Sequence, residues 1–260
     1  MAAADLLLVI TNFILFRISV YYFPRSFLNI TPVCSAMVTL NRVAMNCSVW
    51  FTVTFSFDRF VAICCQKLKT KYCTGKTAAV VPAKTSILLC LKSIPYYFVF
   101  EAEQIIDNVP WGCNCKSSYY TEPGWVANNW FDTVSTPLLP FVLILLLNAL
   151  TVRYILLASR VRKGLRSQSK GENHRDPEME SRRKSVILLF SISANFILLW
   201  LTNVICFFYY TIAGINPNDN ESSYIFQQVG YVLMNLSCCT NTFIYGVTQS
   251  KFRKQVKSAV

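Results

Sequence analysis

The sequence is poor in residues that do covalent or metal chemistry. It has a single histidine, His174, which sits in a polar stretch. No spacing of His, Cys, Asp and Glu resembles a metal site, and no nucleophile has a base arranged beside it. An enzyme is therefore disfavoured. Acidic residues are few, 13 against 25 Lys and Arg, and all charged residues together make up only 15% of the chain. There is no internal repeat and no low-complexity tract. Nor is there the symmetric pair of Gly- or Pro-broken segments expected of a six-span transporter.

What the chain has in abundance is apolar sequence, 53% of 260 residues. It is gathered into six runs, roughly 2–23, 35–65, 77–100, 124–158, 183–213 and 223–248. A soluble domain would not carry several such runs, whereas a helix of about 20 apolar residues spans a bilayer. The expectation is an all-α membrane protein with six spans in residues 1–248. The first run is too long for a signal-peptide core and lacks a basic leader, so it reads as a span.

The net charge of +12 follows the membrane and not a nucleic-acid footprint. Lys67, Lys69, Lys71 and Lys76 follow the second run, and a cluster from Arg160 to Lys184 follows the fourth. The tail adds Lys251, Arg253, Lys254 and Lys257. Seventeen basic residues thus lie on one side, against Arg25 and Lys116 on the other. Acids including Glu101, Glu103, Asp107, Glu122, Asp132, Asp219 and Glu221 are assigned to that second side. The positive-inside rule places both ends of the chain and the basic loops in the cytoplasm.

Of the eleven cysteines, Cys34, Cys113 and Cys115 fall on the outer side. That side is oxidising for a surface protein, so a disulfide from Cys34 to the 101–123 loop is expected, with Cys113 preferred to Cys115. Asn29-Ile30-Thr31 and Asn220-Glu221-Ser222 are outer glycosylation sequons, while the matches at Asn46 and Asn235 lie inside spans and are fortuitous. Residues 167–181 read as a polar cytoplasmic loop. In residues 249–260, Phe252, Val256 and Val260 recur every fourth position among cations, the pattern of a short amphipathic helix on the inner leaflet.

Asp58-Arg59-Phe60 closes the second run just before a basic loop. Charges so near hydrocarbon are costly and usually functional. An acid beside an arginine can neutralise it in one conformation and release it in another.

This tripeptide resembles the Asp-Arg-Tyr signature of rhodopsin-like G-protein-coupled receptors. Other landmarks follow in the family's order. Met1-Ala2-Ala3-Ala4-Asp5 resembles the start of its second helix, and Cys34 and Arg59 the two ends of its third. Leu68 resembles the apolar residue of the next loop, and Pro140 with Asn148 the fifth helix. Phe196-Ile197-Leu198-Leu199-Trp200-Leu201-Thr202 resembles the sixth, Asn241-Thr242-Phe243-Ile244-Tyr245 the seventh, and Phe252-Arg253 the eighth, surface helix. Thr202 and Thr242 stand where the family has prolines, and Phe60 where it has tyrosine. On this reading the chain begins inside the second helix, with the first absent. Ala2-Ala3-Ala4-Asp5, Ser48-Val49-Trp50 and Ser93-Ile94-Pro95-Tyr96-Tyr97 resemble the G-protein coupled receptor 139 group, whose members respond to aromatic amino acids and short peptides.

The resemblance implies a plasma-membrane receptor that relays an outer small-molecule or peptide signal to a heterotrimeric G protein. The alternatives are a non-signalling truncated isoform or partner of a longer receptor, or a six-span transporter. Asn41, Arg42, Met45, Trp200, Asn203, Phe207, Gln227, Tyr231 and Asn235 would line the ligand pocket, Arg42 holding a carboxylate. Asp58, Arg59, Leu68, Asn241 and Tyr245 would form the switch and G-protein contact. Asp5, Ser48 and Asn241, with Trp200 nearby, would hold a sodium ion; no other cofactor is implied.

Overall fold

A computed structural model describes residues 2–18, 22–23, 25–65, 67–68, 74–166, 177–213 and 221–248. Helices lie over all six apolar runs. Helix α1 (Ala2–Val9) passes into a π-helical stretch, Ile10–Ile18. Helix α2 (Thr31–Cys64) starts where extended Ile30 is followed by Pro32, a residue suited to the first turn because its missing N–H would be unpaired there. Helix α3 (Gly75–Ser93) is capped by Thr74, whose hydroxyl accepts the Thr77 N–H at 3.2 Å. It tightens into a 3₁₀ segment, Ile94–Val99, at Pro95.

The fourth run is more than one straight helix. Helix α5 (Pro123–Thr133) follows a short α4 (Ser118–Thr121). It meets α6 (Leu139–Arg166) through a π-turn, Val134–Leu138, in which Thr136 leaves helical geometry beside Pro137. Helices α7 (Pro177–Ala213) and α8 (Glu221–Thr248) complete the bundle. The last run therefore starts two residues earlier than expected, and the fifth six residues earlier.

Four of these segments, Thr31–Cys64, Gly75–Val99, Pro123–Arg160 and Ser185–Tyr210, are long and apolar enough to cross a membrane. Many large apolar side chains on them face outward, among them Ile87, Leu88, Val142 and Leu198. Helix α8 is more polar, with Gln227, Gln228, Asn235, Ser237, Thr240 and Asn241 along it. Helix α2 is the central element. It packs against α1, α3, α6 and α7 and buries Cys34, Ala44, Asn46, Cys47, Val49 and Val53.

The 101–123 segment, expected as a loop, folds into two nested antiparallel pairs. Strand β1 (Phe100–Glu101) pairs with β4 (Asn114–Cys115), and β2 (Gln104–Ile106) with β3 (Val109–Trp111). The inner turn is Asp107-Asn108, both with positive φ, the conformation that favours a two-residue hairpin. The hairpin is tied to the start of α2 by a Cys34–Cys113 disulfide, by an Ile30–Trp111 bridge, and by Thr31 Oγ1 donating to Gly112 O at 2.8 Å. Cys115 forms no disulfide and stands opposite Phe100 in the strand pair. Gly112 has φ +87, and a Cβ there would lie 2.6 Å from Glu103 Cβ, so the turn needs glycine. The proposed tail helix, residues 249–260, and the sequon at Asn220 lie outside the described residues.

Candidate functional site

Three layers of side chains are threaded on α2. At the end that carries the hairpin, Arg42 donates to Asp132 Oδ2 at 2.6 Å and to the Tyr96 hydroxyl at 2.8 Å. Its guanidinium lies 4.1 Å from the centre of the Tyr96 ring. Lys92 reaches the other Asp132 oxygen at 2.7 Å, approaches Thr136 Oγ1 at 3.4 Å, and sits 5.7 Å from the centre of the Phe131 ring. Asp132 is buried. Its assignment to an outer loop is therefore corrected: it is a buried acid on α5 that holds two cations. Arg42, expected to stand ready for a ligand carboxylate, already has a carboxylate. Burial pushes the phenol of Tyr119, on α4 near this cluster, above its ordinary value.

The middle layer is aromatic. Phe196 and Trp200 are buried with ring centres 5.5 Å apart, and Phe141 meets Phe196 edge-on at 5.3 Å. Val49, Val53, Ile144 and Met234 complete this core, with Met45 and Tyr231 packed against it. Phe207 is engaged with Trp130 in an edge contact at 5.3 Å, while Asn203 lies against Gly230. Gln227 is half-buried on α8.

The third layer is the Asp58–Arg59 pair, joined at 2.6 Å, with each side chain about one third exposed (32% and 31%). Arg59 also lies over the Phe55 ring at 5.4 Å. Leu68 is exposed nearby in sequence. The side chain of Tyr245 lies outside the described residues.

A column of buried polar groups runs beside these layers. Thr11 contacts Asn41 Oδ1 at 3.4 Å, and Asn12 Nδ2 donates to Asn235 Oδ1 at 3.0 Å. Ser48 donates to Asp5 Oδ1 at 2.5 Å. The other Asp5 oxygen and Asn241 Oδ1 are buried without a hydrogen-bond partner. Carboxylate, amide and hydroxyl oxygens are a donor set that suits a hard cation. Asn46 is buried and bonded to Ser93, in keeping with a fortuitous sequon, whereas Asn29 lies in a half-exposed turn.

Residues 1–245 match the 7 transmembrane receptor (rhodopsin family) model. The chain belongs to that family. Among its relatives are the G-protein coupled estrogen receptor 1 of Mus musculus, 23% identical over 99% of this chain, and compound eye opsin BCRH2 of Hemigrapsus sanguineus, 26% identical over 97%. Neuropeptide receptor 22 of Caenorhabditis elegans is 25% identical over 85%. The chain spans 63%, 66% and 51% of the lengths of these three relatives. This rhodopsin-family chain is thus a multi-pass membrane protein of a receptor class.

Sequence reasoning missed Asp132, Lys92 and Tyr96 as parts of the ionic layer. The signal was present: Lys92 and Asp132 are opposite charges within or beside apolar runs. Such charges are rare unless paired.

Proposed function

We propose that this chain is a signalling receptor in the plasma membrane, with its basic loops in the cytosol. It couples an outer ligand to a heterotrimeric G protein. One observation carries the reading. A single helix, α2, contributes Arg42 to the ionic layer, Val49 and Val53 to the Trp200 core, and Asp58–Arg59 to the far layer. A ligand that disturbs the first layer acts on a rigid element that ends in the third.

The mechanism is a population shift. In the closed state Asp58 neutralises Arg59. The ligand favours a state in which Arg59 is released and α7 moves away, exposing an inner surface with Arg59, Leu68 and Tyr245. Asp5, Ser48 and Asn241 would hold a sodium ion, which supplies charge neutralisation in the middle of the bundle. Their own work includes joining α1 to α2 through the Ser48–Asp5 hydrogen bond.

The ligand class follows from charge. Arg42 and Lys92 outnumber Asp132, so the ionic layer keeps a net positive charge. It suits the carboxylate of an anionic or zwitterionic molecule, with Phe207, Tyr231 and Trp200 supplying aromatic surface. The likeness to the G-protein coupled receptor 139 group supports an aromatic amino acid or short peptide. The test is ligand-evoked GTP exchange with phenylalanine and its amide. Arg42→Ala should weaken the carboxylate form about tenfold or more and spare the amide. Equal weakening of both would show that Arg42 does not read the carboxylate.

A further inference from the structure

A cavity lies away from the ionic layer. It has a volume of about 390 Å³ and lies between α2, α3 and α6, with Trp50, Thr54, Phe57, Val81, Thr85 and Leu146 in its lining. Phe57 and Leu146 are exposed, so the cavity opens to the outside of the bundle. It offers almost nothing to a polar guest. Thr54 Oγ1 donates to Trp50 O and Thr85 Oγ1 to Val81 O, both at 2.9 Å, so each hydroxyl is used by its own helix. Apolar cavities of this kind stay dry. On the side of a membrane bundle, the hydrocarbon available to fill it is lipid.

The charge beside the cavity selects among lipids. Lys84 is three residues after Val81, so the two are neighbours on the surface of α3 at the edge of the cavity. It is exposed and has no ion pair among the described residues. An unpaired cation on a hydrocarbon-facing surface is costly without a counter-charge.

We propose that this cavity seats an acyl chain of an anionic phospholipid whose headgroup is held by Lys84. The occupant would touch Phe57, the neighbour of Asp58, so membrane composition would act on the Asp58–Arg59 layer from its side.

The test uses the full chain in phosphatidylcholine nanodiscs. These carry trace photoreactive phosphatidylglycerol or, in parallel, photoreactive phosphatidylcholine, both labelled on the acyl chain. Adducts are mapped by mass spectrometry. They should concentrate on Trp50, Phe57 and Leu146, with phosphatidylglycerol favoured about fivefold. Lys84→Gln should bring that ratio close to one, and Lys84→Arg should retain it. Leu146→Trp, which fills the cavity, should remove adducts of both probes. If Leu146→Trp does not fold, the surface change Lys84→Gln still decides the matter. Adducts spread evenly onto Leu198 and Ile212 would mean annular lipid alone and would overturn the proposal. So would equal labelling by both probes, or a ratio unmoved by Lys84→Gln. None of these readouts depends on ligand or G protein.

Discussion

Arg42 and Asp132 are ninety residues apart in sequence and 2.6 Å apart in space. The pair fastens α2 to α5, and Lys92 adds α3 to the same carboxylate. Removing one member of a buried pair leaves an uncompensated charge, which commonly costs about 3–5 kcal/mol. Asp132→Ala should therefore lower the thermal midpoint of the purified chain sharply. Combining Asp132→Leu with Arg42→Met should restore part of the loss, because the orphaned guanidinium is gone. Strictly additive losses would show that the two residues do not share an interaction.

The Asp58–Arg59 contact is local, between adjacent residues at 2.6 Å. Asp58→Asn should raise basal GTP exchange by removing the partner that restrains Arg59. Arg59→Ala should abolish ligand-evoked exchange. If both changes alter exchange in the same direction and to the same extent, the pair is a structural contact and not a switch.

The hairpin depends on one covalent tie. Cys34→Ser should destabilise the chain by about 2–5 kcal/mol, the usual cost of losing a native disulfide. Cys115→Ser should have a much smaller effect, since Cys115 forms no disulfide. Non-reducing peptide mapping together with thermal unfolding distinguishes the two. A Cys34–Cys115 peptide would refute the pairing.

Two unpartnered buried oxygens, Asp5 Oδ2 and Asn241 Oδ1, motivate a cation test. Replacing choline chloride with sodium chloride at equal ionic strength should raise the thermal midpoint. A ligand at about 100 times its Kd adds roughly 2.7 kcal/mol to the folded state. Asp5→Asn should abolish the sodium dependence. A midpoint indifferent to sodium in the unmodified chain would dismiss the site.

Much of this was legible in the sequence because a membrane permits few backbone solutions. Each span must satisfy its own hydrogen bonds, so a long apolar run already specifies a helix. Asp58 and Arg59 needed only adjacency to meet. The pairing of Cys34 with Cys113 was open only between two neighbouring cysteines. The ionic layer was harder, because its three members lie on three helices and meet only once these pack. Asp132 was set among the outer acids although the run 124–158 already contains it, because its partners Arg42 and Lys92 come from two other helices and only packing brings them to it. The nested strands were also hidden, since β1 and β4 are two residues each and pair across the whole hairpin. Asp107-Asn108 between Ile106 and Val109 was the one local sign of a turn.

Gly230 has no side chain to hold α8 away from α7: a Cβ there would lie 3.4 Å from the Asn203 Cα. The absence of bulk at this one position makes a fulcrum. From Asn203 to Arg183 the helix runs about 30 Å. Over that arm, a tilt of about 10° moves the far end about 5 Å, by the same helix rise. A bulky residue at Gly230 would wedge the fulcrum apart and shift where the lever pivots, leaving every contact near Arg59 chemically unchanged.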